Sequence, residues 1–261
     1  MVNSTQLVDI KTILDQLLAE ILNALGSKLK GLYLYGSLVW GDFDYGVSDI
    51  DLLAVTSDDL SDSDFNKLKR MHSEFAAKHP FWDNRIEVQY ASSSGLKTFR
   101  TGSSKMAVIS PGEPFHIIDA GNDWLANWYF VHDYGVTLFG PLPEQFIDPI
   151  SQDEFIQAIY DHAFFWKAHV QKTKNSRPYQ SYAVLALCRA LYTMTFKRQV
   201  SKQNAADWAM TQSPEWADFI GEALYVRSHS GEVNQADADI AYPQTLRFVL
   251  EAIEKIKQLR G

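Results

Sequence analysis

A few acidic or small residues in the first ninety positions have the types and spacing for phosphate chemistry. Residues 31–55 read GLYLYGSLVWGDFDYGVSDIDLLAV. Gly36-Ser37 follows an apolar run, and Asp49 and Asp51 open a second one. A Gly-Ser pair after a strand lets the backbone turn tightly and approach a bulky group. A helix starting there would add free N–H groups suited to an anion. On a strand, residues two apart share a face, so Asp49 and Asp51 stand side by side. Two adjacent carboxylates call for a cation between them. Mg²⁺ is the hard cation bound through one or two carboxylates together with substrate phosphates. Glu87, flanked by Ile86 and Val88 in RIEVQY (85–90), is the third acid. It would complete the metal site or take a proton from an attacking hydroxyl.

The elements that must hold these groups follow from periodicity. Residues 5–25 carry apolar positions at helical spacing, and Gly26-Ser27 ends the pattern. GLYLYG (31–36), DIDLLAV (49–55) and RIEVQY (85–90) read as strands, with a helix over 64–79 stopped by His79-Pro80. FHIID (115–119) and GVTLFG (135–140) read as short strands around a helix at 124–134. GPLPEQFIDPI (140–150) is the domain edge, and beyond it 151–171, 179–198, 202–211, 213–228 and 238–260 all read as helices. The expected class is α+β: a mixed β-sheet flanked by helices over 1–149, then an all-α bundle over 150–261.

Composition narrows the setting. Of 261 residues, 46% are hydrophobic and 21% charged, which suits a globular protein with a sizeable core. The formal net charge is −8 and no Lys/Arg cluster stands out, which argues against nucleic acid and is compatible with a cationic substrate. The single cysteine, Cys188, cannot form an internal disulfide and sits in an apolar run. No stretch reads as a signal peptide or a membrane span, so a cytoplasmic monomer is expected.

Gly36-Ser37, eleven intervening residues and Asp49-Ile50-Asp51 resemble the signature of the polymerase-β-type nucleotidyltransferase superfamily. TLFGPLPEQFIDPISQDEFIQAI (137–159) and SKQNAADWAM (201–210) resemble the aminoglycoside (3″)(9) adenylyltransferases, which modify streptomycin and spectinomycin. The resemblance covers roughly residues 30–230. It implies that Gly36 and Ser37 hold the triphosphate of ATP. It makes Asp49 and Asp51 ligands of two Mg²⁺ ions, with Glu87 at the metal site and acting as catalytic base. It also implies that Lys202 reaches the ATP phosphates from the helical half, that ATP lies between the halves, and that Trp166 lines the acceptor pocket. AMP would pass to a hydroxyl of a small cationic aminocyclitol, with release of pyrophosphate.

Two departures favour spectinomycin over streptomycin. Streptomycin-modifying members carry an aspartate where this chain has NSRPYQSYAVL (175–185), and a tryptophan where it has SSKMAVIS (103–110). A guanidino sugar would miss its carboxylate. The alternative readings are a protein or RNA acceptor, or a non-catalytic nucleotide-binding module. Acidity disfavours RNA, and the presence of all three acids disfavours the module.

Overall fold

In the computed structural model, which describes residues 2–229 and 235–260, Asn3 caps the first helix. Its side chain accepts from the Gln6 N–H while the Gln6 side chain returns the bond, and α1 (Ser4–Leu25) follows. Ile10, Ile13, Leu14, Leu17, Ile21 and Leu25 form its buried stripe.

The chain divides into two units, Met1–Ile150 and Ser151–Gly261. The first holds a six-stranded mixed sheet. β1 (Leu29–Tyr35) runs antiparallel to β2 (Ile50–Thr56), and β2 runs parallel to β3 (Ile86–Ser92). A parallel neighbour needs a crossover, and α2 (Asp62–Lys78) supplies it. The helix begins two residues before the expected 64. Ser61 is the cap, and the Asp64 carboxylate accepts back from the Ser61 N–H. Lys28 first, then Ser61, hold the Asp64 carboxyl down at about 2.

Two elements appear that periodicity does not give. α3 (Ser93–Thr98) follows β3 directly, capped by Ser92. β4 (Ser104–Ser110) pairs antiparallel with β3 and with β5 (Glu113–Ala120). After α4 (Leu125–Tyr134), β6 (Val136–Phe139) joins the far edge beside β1. The order is β5-β4-β3-β2-β1-β6, so β2 and β3, which carry the acids, are the two central strands.

The second unit contains α5 (Gln152–His169), α6 (Arg177–Phe196), α7 (Lys202–Gln212), α8 (Ala217–Ser228) and α9 (Gln235–Arg260). α6 is the central helix, packed against each of the other four. It buries Ala183, Val184, Leu185, Leu187 and Cys188 completely. Burial pushes the Cys188 thiol up to about 12, as suits a core residue. No helix among the described residues is long and apolar enough to cross a membrane.

One buried polar pair makes the first unit sensitive to acid. His72 on α2 lies with Nε2 2.8 Å from the Tyr90 hydroxyl, inside the core. Burial lowers the imidazole to about 4. A histidine that stays neutral when folded gives its full stability above the unfolded value near 6.5, and that stability falls away as pH drops toward 4. The loss is about 3 kcal/mol from this residue. Urea midpoints measured across that range should fall steadily in the native chain, and His72→Gln should flatten the slope.

Candidate active site

The acids meet because of register. Tyr35 on β1 is the Cα partner of Asp51 on β2, and Asp51 is the partner of Glu87 on β3. Three side chains therefore stand in one row across three strands, on one face of the sheet. Ile50, Leu52, Ile86 and Val88 point to the other face and are buried in the core beneath α1 and α2. Asp51 and Glu87 are half-buried.

Gly36 closes the row at the end of β1. Its φ is 76°, and a Cβ built there would lie 1.9 Å from Asp51 Oδ2 and 2.7 Å from its Cγ. Only glycine lets the turn pass this close to the carboxylate. No long helix starts at the turn. Gly36–Leu38 is a single 3₁₀ turn, with Val39 and Trp40 N–H groups both donating to the Gly36 carbonyl. So short a turn has no helix dipole. Whatever phosphate affinity Ser37 and its neighbours have comes from local N–H and hydroxyl groups.

Asp49 lies just before β2, at the end of a loop that folds on itself. The Asp44 carbonyl accepts from the Val47 and Ser48 N–H groups, and its carboxylate accepts from Gly46 N–H. Arg85 clamps this loop from β3's entry, donating from Nη2 to the carbonyls of Tyr45 and Ser48, both at 2.7 Å. Its guanidinium sits 4.8 Å from the Phe81 ring centroid and 5.0 Å from that of Trp82. Burial lowers Arg85's proton affinity, and the negative charge of Asp49 opposes that. Asp44 is thus a loop residue, with its acceptors turned to the backbone.

The donor set suits Mg²⁺: oxygen ligands only, two of them on adjacent strands, beside a turn that can admit a phosphate. It does not form a finished cage. Among the described residues no three His, Cys, Asp or Glu side chains converge as metal ligands. Asp51 and Glu87 are register partners on adjacent strands, and Asp49 lies two residues before Asp51 at the mouth of β2. Three like charges drawn together without a cation would repel strongly.

A polar chain runs away from Glu87, and nothing in the spacing of the sequence announces it. Gln89 Nε2 donates to Glu87 Oε1 at 2.5 Å, and Gln89 Oε1 accepts from the Tyr35 hydroxyl at 2.7 Å. Asn127 Nδ2, on α4, donates in turn to the Tyr35 oxygen at 3.3 Å. In sequence, Gln89 is only another position on the polar face of β3, and Tyr35 another aromatic in an apolar run. The aromatics of α4 pack inside the first unit: Trp128 is buried, and Trp40 meets Phe130 and Tyr134 with centroids 5.6 and 4.6 Å apart.

In the helical unit, Lys202 is the first residue of α7, with Nζ 4.4 Å above the Tyr182 ring. Tyr182 also stands 5.9 Å from Trp166. Two expected site residues are thus linked by a third that the sequence does not single out. Trp166 is only 2% exposed and packs in the core, with no partner for its indole N–H among the described residues. Tyr182, at 44%, is the ring with surface to offer.

Comparison with known proteins matches the two parts of the chain separately. Residues 16–100 match the family model of the nucleotidyltransferase domain, and residues 145–251 match that of the aminoglycoside adenylyltransferase C-terminal domain. An aminoglycoside (3″)(9) adenylyltransferase of Rhizobium radiobacter is 28% identical over 124 residues, which are 47% of this chain and 45% of that protein. The chain therefore spans less than half the length of that relative in the match. The crystal structure of spectinomycin adenyltransferase AAD(9) from Enterococcus faecialis with ATP and spectinomycin superposes with a TM-score of 0.73 at 20% identity. The match covers 94% of this chain and 98% of that one, a likeness of fold.

Proposed function

We propose that the chain, whose two parts match the models of the nucleotidyltransferase domain and of the aminoglycoside adenylyltransferase C-terminal domain, transfers AMP from ATP to a hydroxyl of an aminocyclitol antibiotic, spectinomycin ahead of streptomycin. The observation that carries this reading is the Asp51–Glu87 pair beside the Gly36 turn. A carboxylate pair against a glycine turn suits a cation-bound triphosphate better than it suits a structural sheet.

The chain's own groups divide the work. Gly36 and Ser37 receive the triphosphate, and Lys202 is the helical unit's own candidate for a phosphate-binding cation. Asp49, Asp51 and Glu87 would hold Mg²⁺, whose charge offsets that of the phosphate oxygens and of departing pyrophosphate. Glu87 takes the proton of the acceptor hydroxyl. The hydroxyl oxygen bonds to the α-phosphorus, and the bond from that phosphorus to pyrophosphate breaks. Within the helical unit, Trp166 is buried behind Tyr182, whose exposed ring is the surface offered to an acceptor. Spectinomycin is favoured because residues 175–185 hold no acid to meet a guanidino group. That segment instead buries a cation, Arg177, whose guanidinium meets Glu222 at 2.8 Å.

Incubation of the protein with ATP, Mg²⁺ and each antibiotic tests this by mass spectrometry. A spectinomycin adduct heavier by one AMP, with pyrophosphate released, is expected. An adduct on streptomycin alone would reverse the acceptor assignment. No adduct on any aminocyclitol would remove the antibiotic reading.

A further inference from the structure

We propose that Gln89, set by Tyr35 and Asn127, is a positioning residue that fixes which way the Glu87 carboxylate faces. The inference rests on the reading of Glu87 as the base. Gln89 is completely buried, with Leu53 and Val108 as its Cα partners on the neighbouring strands. An amide in such surroundings is costly unless both ends are bonded. Here they are, and the bonds have a direction.

An amide alone turns over readily, exchanging its oxygen for its nitrogen. Glu87 needs a donor from it, and only one orientation provides one. The Tyr35 hydroxyl selects that orientation. Asn127 donates into the phenol oxygen, so the phenol proton is directed elsewhere, and the acceptor it meets is Gln89 Oε1. The Gln89 NH₂ is left facing Glu87. Every bond thus donates toward the carboxylate, from α4 through β1 to β3. Tyr35 keeps its proton throughout: burial first, then the charges of Glu87 and Asp51, hold its hydroxyl well above its ordinary value. A glutamate side chain has three rotatable bonds, and one oxygen tied down narrows where the other can face.

Kinetics of the full chain, with spectinomycin as acceptor, test this. Gln89→Leu and Tyr35→Phe should each lower kcat about 10- to 100-fold, the scale of a misplaced catalytic group. Because Glu87 is also read as a Mg²⁺ ligand, Mg·ATP affinity should fall as well, but by less than kcat. Neither change should reduce activity further in a Glu87→Gln background, because a residue acting through Glu87 has nothing left to position. Multiplying losses, or native kcat in both single variants, would overturn the proposal. If Gln89→Leu does not fold, Tyr35→Phe decides. A second arm needs no activity. In ¹⁵N-labelled protein the Gln89 side-chain amide should show two slowly exchanging protons that shift on Tyr35→Phe and on Glu87→Gln. An amide unmoved by both would overturn the relay. An amide that responds in a chain transferring no AMP would sink the functional reading and leave the relay standing.

Discussion

Gly36→Ala is expected to leave a folded protein that has lost at least about 100-fold in AMP transfer. Two effects act at this position and can be separated. The first is backbone strain. A φ of 76° is costly for any residue with a Cβ, on the order of 1–2 kcal/mol. The second is local. The new methyl would occupy the space 1.9 Å from Asp51 Oδ2, so either the turn or the carboxylate must move. Rotating Asp51 away is the easier escape, because a side chain yields before two paired strands do. That rotation breaks the row with Glu87 and keeps the fold. Gly41→Ala is the control. Gly41 has φ 72°, and a methyl added there would meet nothing within 4 Å, so it carries the strain without the collision. Both variants should lose similar stability in urea, and only Gly36→Ala should lose the activity. Equal activity losses in the two would mean that strain alone governs the turn.

The contrast between these glycines shows what sequence can and cannot reveal. Gly36, Ser37, Asp49, Asp51 and Glu87 are legible because their chemistry is unusual for strands: small residues at a turn, and acids within apolar runs. Strand alternation alone places Asp51 and Ile50 on opposite faces, as found. Which strands lie beside each other is not encoded in any one stretch. The row Tyr35–Asp51–Glu87 exists because β2 is central, antiparallel to one neighbour and parallel to the other, a result of α2 crossing over. Gln89, Tyr35 and Asn127 come from three elements and meet only through that order. β4 escapes a periodicity reading because Ser104–Ser110 lacks alternation; Met106, Ala107 and Val108 are all buried in succession. The turn at Ser37 does not extend into a helix for a local reason, since the Ser37 carbonyl accepts from Asp42 N–H and the chain folds into loop instead of continuing.

Asp51→Asn should reduce AMP transfer on the order of 10³-fold, the scale seen when a group that offsets developing phosphate charge is removed. The amide matches the carboxylate in shape, so packing against Gly36 is retained and the change is one of charge. Stability should move the other way. Asp51 and Glu87 are register partners on adjacent strands, and like charges there oppose folding by about 0.2–1 kcal/mol. The metal-free variant should therefore be as stable as the native chain or slightly more so. Mg²⁺ provides the discriminating measurement. An ion that binds only the folded state raises stability by about 2.7 kcal/mol at a hundred times its dissociation constant. Native protein should show a rise in Tm on titration with Mg²⁺ and ATP, and Asp51→Asn should show little. An Asn variant that is inactive yet still stabilised in full by Mg²⁺ would move the metal to Asp49 and Glu87. Asp51 would then serve a different step, and the repulsion it brings to Glu87 would be kept for that step and not for the metal.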